Sequence, residues 1–253
     1  MGNHYEAINC FERALNIMNE IFGENNDQSF EICDNIGLVL VDSDKYNEAL
    51  YYFIKSLKIA EDLNMESTSV ATSYLNIAVV YKRSGDLDKE IEFYKKSLNL
   101  KTKFFGEDNN DVAVIYGLIG DLYSKQKMYK DALQCYEKFL YIRKTIGNDL
   151  DMAVICDKIE TAYRDLLCYT KALKFYGKAL EYYLKLNSDH RFEIATIYKE
   201  IAIMFDVQGL YDKALENYML SYETLTEIKD GNEIMLSNIC IEIAGLYKDK
   251  KDF

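Results

Sequence analysis

Six cysteines, two histidines and 42 acidic side chains are the residues with chemistry to offer in this 253-residue chain. The cysteines stand at Cys10, Cys33, Cys135, Cys156, Cys168 and Cys240 and form no CxxC pair, so their order spells neither a zinc knuckle nor a dithiol redox centre. His4 and His190 have no acidic or cysteine partner at metal-ligand spacing and read as surface residues. A Ser–His–Asp or Cys–His arrangement needs a histidine on a defined surface, and neither position implies one. No GxGxxG or GxxxxGK[ST] run occurs, so no phosphate cradle is indicated. Carboxylates such as Asp34, Asp121, Asp157 and Asp206 could pair for acid–base work, but solvated faces are their commoner fate in an acidic protein. The expectation is therefore a chain that is not an enzyme and holds no metal and no cofactor.

The elements that carry these residues repeat. The stretches at 3–15, 44–57, 85–98, 127–140, 167–180 and 209–222 align on Ala7, Ala49, Glu90, Ala132, Ala172 and Ala214, at offsets of 42, 41, 42, 40 and 42. A second set lies between them and aligns on Ile36, Ile77, Ile119, Ile159, Ile201 and Ile243. A small residue usually follows the isoleucine, as Gly37, Ala78, Gly120, Ala202 and Ala244 do, and Leu40, Tyr81, Tyr123, Tyr163, Phe205 or Tyr247 comes three later. Apolar positions at i, i+3, i+4 and i+7 mark one face of a helix. Each period thus holds two amphipathic helices, the isoleucine-bearing helix A and the alanine-bearing helix B. The small residues let the pair approach closely, and the aromatics fill the gaps between neighbouring pairs. Polar turns at Gly23–Asp27, Asn64–Ser67, Gly106–Asp111, Gly147–Asp149, Asn187–Asp189 and Asp230–Asn232 separate the periods. With no proline in the chain, the twelve glycines must do most of the punctuation. The boundaries follow: a terminal helix B over 1–27, full repeats over 28–67, 68–109, 110–149, 150–190 and 191–232, and a terminal helix A over 233–253. That is one all-α solenoid of about twelve antiparallel helices, with no linker and no second domain.

Composition narrows the partners. Hydrophobic residues make up 49%, ample for a core. The formal net charge is −12, which repels phosphate backbones, so no nucleic acid is expected; the charge also serves solubility. No run has the apolar length of a membrane span, the start lacks the features of a signal peptide, and Glu6 stands where a myristoylation motif prefers Ser or Thr. A reducing, cytoplasmic setting without a membrane partner is the expectation.

On these residues the chain resembles the tetratricopeptide repeat (TPR) family. Ile77-Ala78, Tyr81, Gly85 and Tyr94, and likewise Ile201-Ala202, Phe205, Gly209, Ala214 and Tyr218, stand at that family's spacing. The period near 42 and the segment FFGEDNNDVA at 104–113 are similar to the kinesin-light-chain variety. Departures are the missing proline near the end of helix B, Glu90 in place of the helix B alanine, and Glu160 in place of a small residue. They suggest local loosening near repeats 2 and 4. For Glu160 two readings stand, a pair with Lys174 or Lys178 and a stem along the helix with its head in water; the second is favoured. The resemblance implies a right-handed TPR superhelix that binds a protein or peptide on its concave, helix A-lined surface.

Counted from the recurring isoleucine, helix A should turn toward that surface Asn35, Asn76, Val79, Lys82, Arg83, Asp121, Lys125, Arg164, Lys199 and Asp206. The carboxylates Asp34 and Asp157 are expected on the same side. Asn35 and Asn76 can bond an extended peptide backbone as donor and acceptor, and Lys82, Arg83 and Lys125 make a basic patch for an acidic group. The same residues also fit an ordinary mixed-charge exposed face. The Lys/Asn clamp of chaperone-tail-binding family members is not matched, since Leu75 and Val79 hold its places. Cys33, Cys156 and Cys240 share one helix A position and Cys10 and Cys135 one helix B position, which argues for packing thiols. Phe253 and His4 are equivalent in the repeat, so both ends should expose apolar surface, as in a fragment of a longer array or in head-to-tail self-association. The expected function is a protein–protein or protein–peptide interaction scaffold, with two alternatives: a peptide-sensing regulator of the bacterial TPR type, or the repeat arm of a larger multidomain protein.

Overall fold

Helix formation follows the two patterns above. The computed structural model describes residues 2–146, 149–186, 190–228 and 231–249. Twelve helices are found there: α1 (Gly2–Phe22), α2 (Asp27–Asp42), α3 (Tyr46–Asp62), α4 (Thr68–Ser84), α5 (Leu87–Phe105), α6 (Asn110–Lys125), α7 (Tyr129–Ile146), α8 (Asp149–Asp165), α9 (Tyr169–Lys185), α10 (Arg191–Val207), α11 (Tyr211–Thr226) and α12 (Glu233–Asp249). The described residues include no strand and are 86% helical. Even-numbered helices are helix A and odd-numbered ones helix B; α2 and α8 begin at Asp27 and Asp149, one residue before the expected starts of their repeats. The turn residues Gly147, Asn187, Asp189 and Asp230, and the terminal Phe253, lie outside the described residues.

Local chemistry sets the helix ends. Asn26 and Ser67 cap α2 and α4, their side-chain oxygens accepting from the backbone N–H of Ser29 (2.8 Å) and Val70 (3.2 Å). Asp86 does the same for Lys89 at 3.1 Å. The A-to-B turns, however, correct one expectation. All five place a left-handed residue eight after the recurring isoleucine, at Asp44, Gly85, Lys127, Leu167 and Gly209. Glycine, which enters that region without a Cβ penalty, holds only two of them.

Contacts gather the chain into two units, Met1–Leu122 and Tyr123–Phe253. Unit 1 has its core where α1 to α4 meet, built on Leu15, Phe30, Ile36, Leu40, Phe53, Ile59 and Ile77. Gly37 is the point of closest approach there: a Cβ would meet the Phe53 ring at 2.6 Å. Unit 2 is filled by the fully buried rings of Tyr136, Tyr176 and Tyr218, set between Ile155, Ile159, Met204 and Leu225. Buried serines tie two of the pairs, α4/α5 and α10/α11, by a bond to a helix A carbonyl: Ser97 Oγ donates to Ala71 O (2.7 Å) and Ser221 Oγ to Ala195 O (2.6 Å).

The hairpins α4/α5 and α8/α9 share a further brace. Tyr81 stacks on Phe93 with centroids 5.5 Å apart, with the ammonium of Lys89 over the tyrosine (5.0 Å) and that of Lys96 over the phenylalanine (4.5 Å). Tyr163 and Phe175 stack at 5.7 Å between Lys171 (5.2 Å) and Lys178 (4.6 Å). Each lysine is attracted to the negative face of a ring, so the column closes the A–B pair. These are the hairpins expected to loosen because of Glu90 and Glu160. Instead both glutamates are buried, at 3% and 5% exposure, inside closed hairpins.

Candidate binding face and charged junctions

The ten residues expected to face a ligand divide between the units. In unit 1, Asn35, Lys82 and Arg83 are exposed, Val79 is 36% exposed, and Asn76 and Asp121 are half-buried. Leu38 stands beside Asn35 in the register that Val79 occupies on α4 and is 42% exposed. At these positions α2 and α4 turn amide and apolar groups and two cations outward; α2 also exposes Asp27, Glu31 and Asp42. In unit 2, Lys125 is exposed, while Arg164, Lys199 and Asp206 are half-buried.

Two of the expected carboxylates lie elsewhere. Asp34 is turned between α2, α3 and α4, where it accepts from the hydroxyls of Ser56 (2.6 Å) and Ser73. Asp157, at the same register on α8, accepts from Tyr183 at 2.9 Å. The side chain two residues before the isoleucine thus meets helix B of its own hairpin, at Ser56 or Tyr183, and does not point at solvent. Burial raises the pKa of both carboxyls, that of Asp157 to about 6, against the pull of the hydroxyls that bond them.

Arg164 organises the junction of α8, α9 and α10. Its Nη1 donates to Glu200 Oε2 at 3.0 Å and lies 3.5 Å from the Tyr176 hydroxyl, and its Nε is 3.7 Å from Asp165. The other oxygen of Glu200 pairs with Lys199 at 3.1 Å. Glu160 lies against this array. Its Oε1 accepts from Thr161 (2.9 Å), and its Oε2 is buried without a hydrogen bond. Burial pushes its pKa up to about 7, opposed by the hydroxyls of Tyr176 and Thr161 and by Arg164. The favoured reading, with its head in water, is thus corrected: the residue after the isoleucine faces α9. Lys178, one proposed partner, lies over the Phe175 ring instead.

Sequence reasoning missed part of helix A. Val114 and Val154, five before their isoleucines, and Leu150, Phe192 and Ile234, nine before, are exposed. Extending the 3.6-residue period toward the helix N-terminus finds them. Phe192 opens a cleft of about 400 Å³ between α10 and α12, lined also by Lys199, Ile203, Tyr218, Met235 and Glu242. A second cleft, of about 440 Å³, lies between α11 and α12, lined by Met219, Tyr222, Cys240, Ile243 and Tyr247.

The two buried thiols carry no activation. Cys33 and Cys156 are buried, as expected of packing residues, and burial pushes them up to about 11 and 12, away from the thiolate a nucleophile needs. Cys10 and Cys240 are exposed, which corrects the expectation for them. Cys240 faces the open α11–α12 cleft, whereas its equivalents Cys33 and Cys156 lie beneath a packed helix. Among the described residues no group of three His, Cys, Asp or Glu could hold a metal, and no helix is long and apolar enough to cross a membrane. The described surface thus presents exposed amide and apolar groups on helix A, and charged junctions between helices.

Comparison with known proteins agrees. A family model described as tetratricopeptide repeat matches residues 1–62 and 69–145. Over 84 residues, 33% of this chain, the sequence is 30% identical to the Drosophila melanogaster tetratricopeptide repeat protein 19 homolog, mitochondrial, and the match spans only 22% of that relative. BtubC (BKLC) from P. vanneervenii has a similar structure, with TM-score 0.65 at 15% identity, covering 90% of this chain and 92% of that one. A Podosopora anserina protein of nearly identical, kinesin-light-chain TPR-like repeats aligns with TM-score 0.62 at 12% identity, covering 80% and 97%. YrrB, described as a TPR protein with an unusual peptide-binding site, aligns with TM-score 0.58 at 15% identity, covering 86% and 93%.

Proposed function

The chain belongs to the tetratricopeptide repeat family, and from that premise we propose that it is a non-catalytic scaffold that binds a protein or peptide segment on its helix A faces. One observation carries this reading. Asn35 and Leu38 on α2 recur in register as Asn76 and Val79 on α4, so adjacent helices offer solvent the same amide-and-apolar pair, with Lys82 and Arg83 beside it. Amides bond a peptide backbone through both donor and acceptor, and partly exposed Leu and Val give apolar contact. The peptide-binding description of YrrB supports the same kind of occupant. All six cysteines are free thiols, which suits a reducing compartment such as the cytoplasm.

The test is affinity capture from a lysate with three forms of the full chain. These are the wild type, Asn76→Ala/Lys82→Ala on the helix A face, and Tyr51→Ser/Ile54→Ser on the exposed side of α3. Loss of the captured protein only with the α4 variant supports the assignment. Capture unchanged by that variant, or lost only with the α3 variant, refutes it. A second reading, the repeat arm of a longer protein, is favoured by one fact: the match spans less than a quarter of the Drosophila relative. The scaffold role is the same in either case.

A further inference from the structure

The repeat allows one junction of unit 2 to be compared with the next. Positions 164, 176 and 200 recur 42 residues later as 206, 218 and 242. Where α8, α9 and α10 meet, they are Arg164, Tyr176 and Glu200, with the guanidinium between the tyrosine hydroxyl (3.5 Å) and the carboxylate (3.0 Å). Where α10, α11 and α12 meet, the tyrosine and the glutamate recur as Tyr218 and Glu242, but Asp206 replaces the arginine. The second junction has the acceptors of the first without its cation.

Three observations show that this second junction is open to a ligand. Tyr218 is only 1% exposed, and its hydroxyl has no hydrogen bond among the described residues; what surrounds it is the charge of Glu242, Asp206 and Glu200. Glu200 is already held by Arg164 and Lys199, while neither Glu242 nor Asp206 has an ion pair among the described residues. Tyr218 and Glu242 both line the cleft of about 400 Å³ whose other walls include Phe192, Ile203 and Met235. Lys199, the one cation of that lining among the described residues, directs its ammonium to Glu200 at 3.1 Å.

We infer that this cleft takes an arginine side chain from a partner segment, its guanidinium placed between the Tyr218 hydroxyl and the Glu242 carboxylate as Arg164 is placed one period earlier. The inference rests on the scaffold reading and names the chemistry of one of its partners. A planar guanidinium offers several donors to the tyrosine oxygen and the carboxylate at once, and it relieves the repulsion between Glu242 and Asp206. The aliphatic stem of the arginine lies against Ile203 and Met235, and a neighbouring apolar residue of the partner meets Phe192. Lysine, a compact point charge, fits the fork less well.

The probe is a fluorescein-labelled peptide, Ala-Leu-Ala-Arg-Leu-Ala-Ala, titrated with the full chain by fluorescence polarisation. Two companions carry citrulline or lysine in place of arginine. Arginine should bind best, with citrulline weaker by about tenfold or more, since it keeps the shape and loses the charge. Glu242→Gln should weaken the arginine probe by about tenfold as well. Asp206→Arg should fill the site from within, abolishing probe binding and raising the melting temperature. Four results each overturn the inference: no arginine binding, equal affinity for arginine and citrulline, indifference to Glu242→Gln, or Asp206→Arg that leaves both binding and stability unchanged. If any of these occurs while Asn76→Ala/Lys82→Ala still abolishes partner capture, the arginine site falls and the scaffold reading stands.

Discussion

At Leu167 the backbone is left-handed (φ 58°) and the side chain is 70% exposed, so a residue with a Cβ holds a strained conformation without packing in return. Leu167→Gly should raise stability by about 0.5–1 kcal/mol, seen as a melting temperature higher by roughly 1–4 °C. A lower melting temperature would mean that Leu167 contributes contacts that outweigh the strain. Glu160 is the residue with the clearest pH signature. Its folded pKa, about 7, lies above the carboxyl's ordinary value of 4.5, so between these pH values the folded state binds more protons than the unfolded one. Its contribution to stability therefore falls as pH rises from about 4.5 to about 7. Glu160→Gln keeps the shape without the ionisation, so it should stabilise the protein by an amount that grows from pH 5 to pH 8. Denaturant melts of both proteins across that range read the difference; a constant difference would show that the carboxylate is solvated at neutral pH.

Close approach governs the single element pair. Gly37 meets the Phe53 ring so tightly that an added methyl needs the ring to shift, and both lie in a filled core. Gly37→Ala should cost about 1–3 kcal/mol, measured by chemical denaturation. A neutral result would show that α2 and α3 can separate slightly without loss. The lysine-bracketed ring columns act at the same scale. Their members Tyr81 with Phe93 and Tyr163 with Phe175 are all aromatic pairs written in the repeat, yet their stacking depends on how helix A lies against helix B.

For the whole molecule, the repeated pattern has one consequence beyond ligand binding. Apolar side chains are exposed on α1 at Tyr5, Ile17, Ile21 and Phe22, and on α12 at Ile234, Ile241 and Tyr247, beside the open cleft between α11 and α12. Exposed apolar surface of this kind favours association between copies. We therefore expect the mass measured by light scattering to rise with protein concentration; one constant monomer mass over a hundredfold range would dismiss head-to-tail association.

The paired helices, their A and B classes and the close-packed small residues were all legible in the sequence, because helical period and repeat period are properties of the chain order alone. So were Asn35, Val79, Lys82 and Arg83 as solvent-facing groups. The sequence could not decide the direction of a charged side chain that borders three helices. Asp34, Asp157 and Glu160 point inward because packed helices exclude water there and offer hydroxyls, Ser56 of α3 and Ser73 of α4 to Asp34 and Tyr183 of α9 to Asp157, a fact of packing. For the same reason Arg164 is held as a bridge between helices, while Asp206, its counterpart 42 residues on, has no ion pair among the described residues. Register states which residues are equivalent; only the folded neighbours determine which of them are already paired.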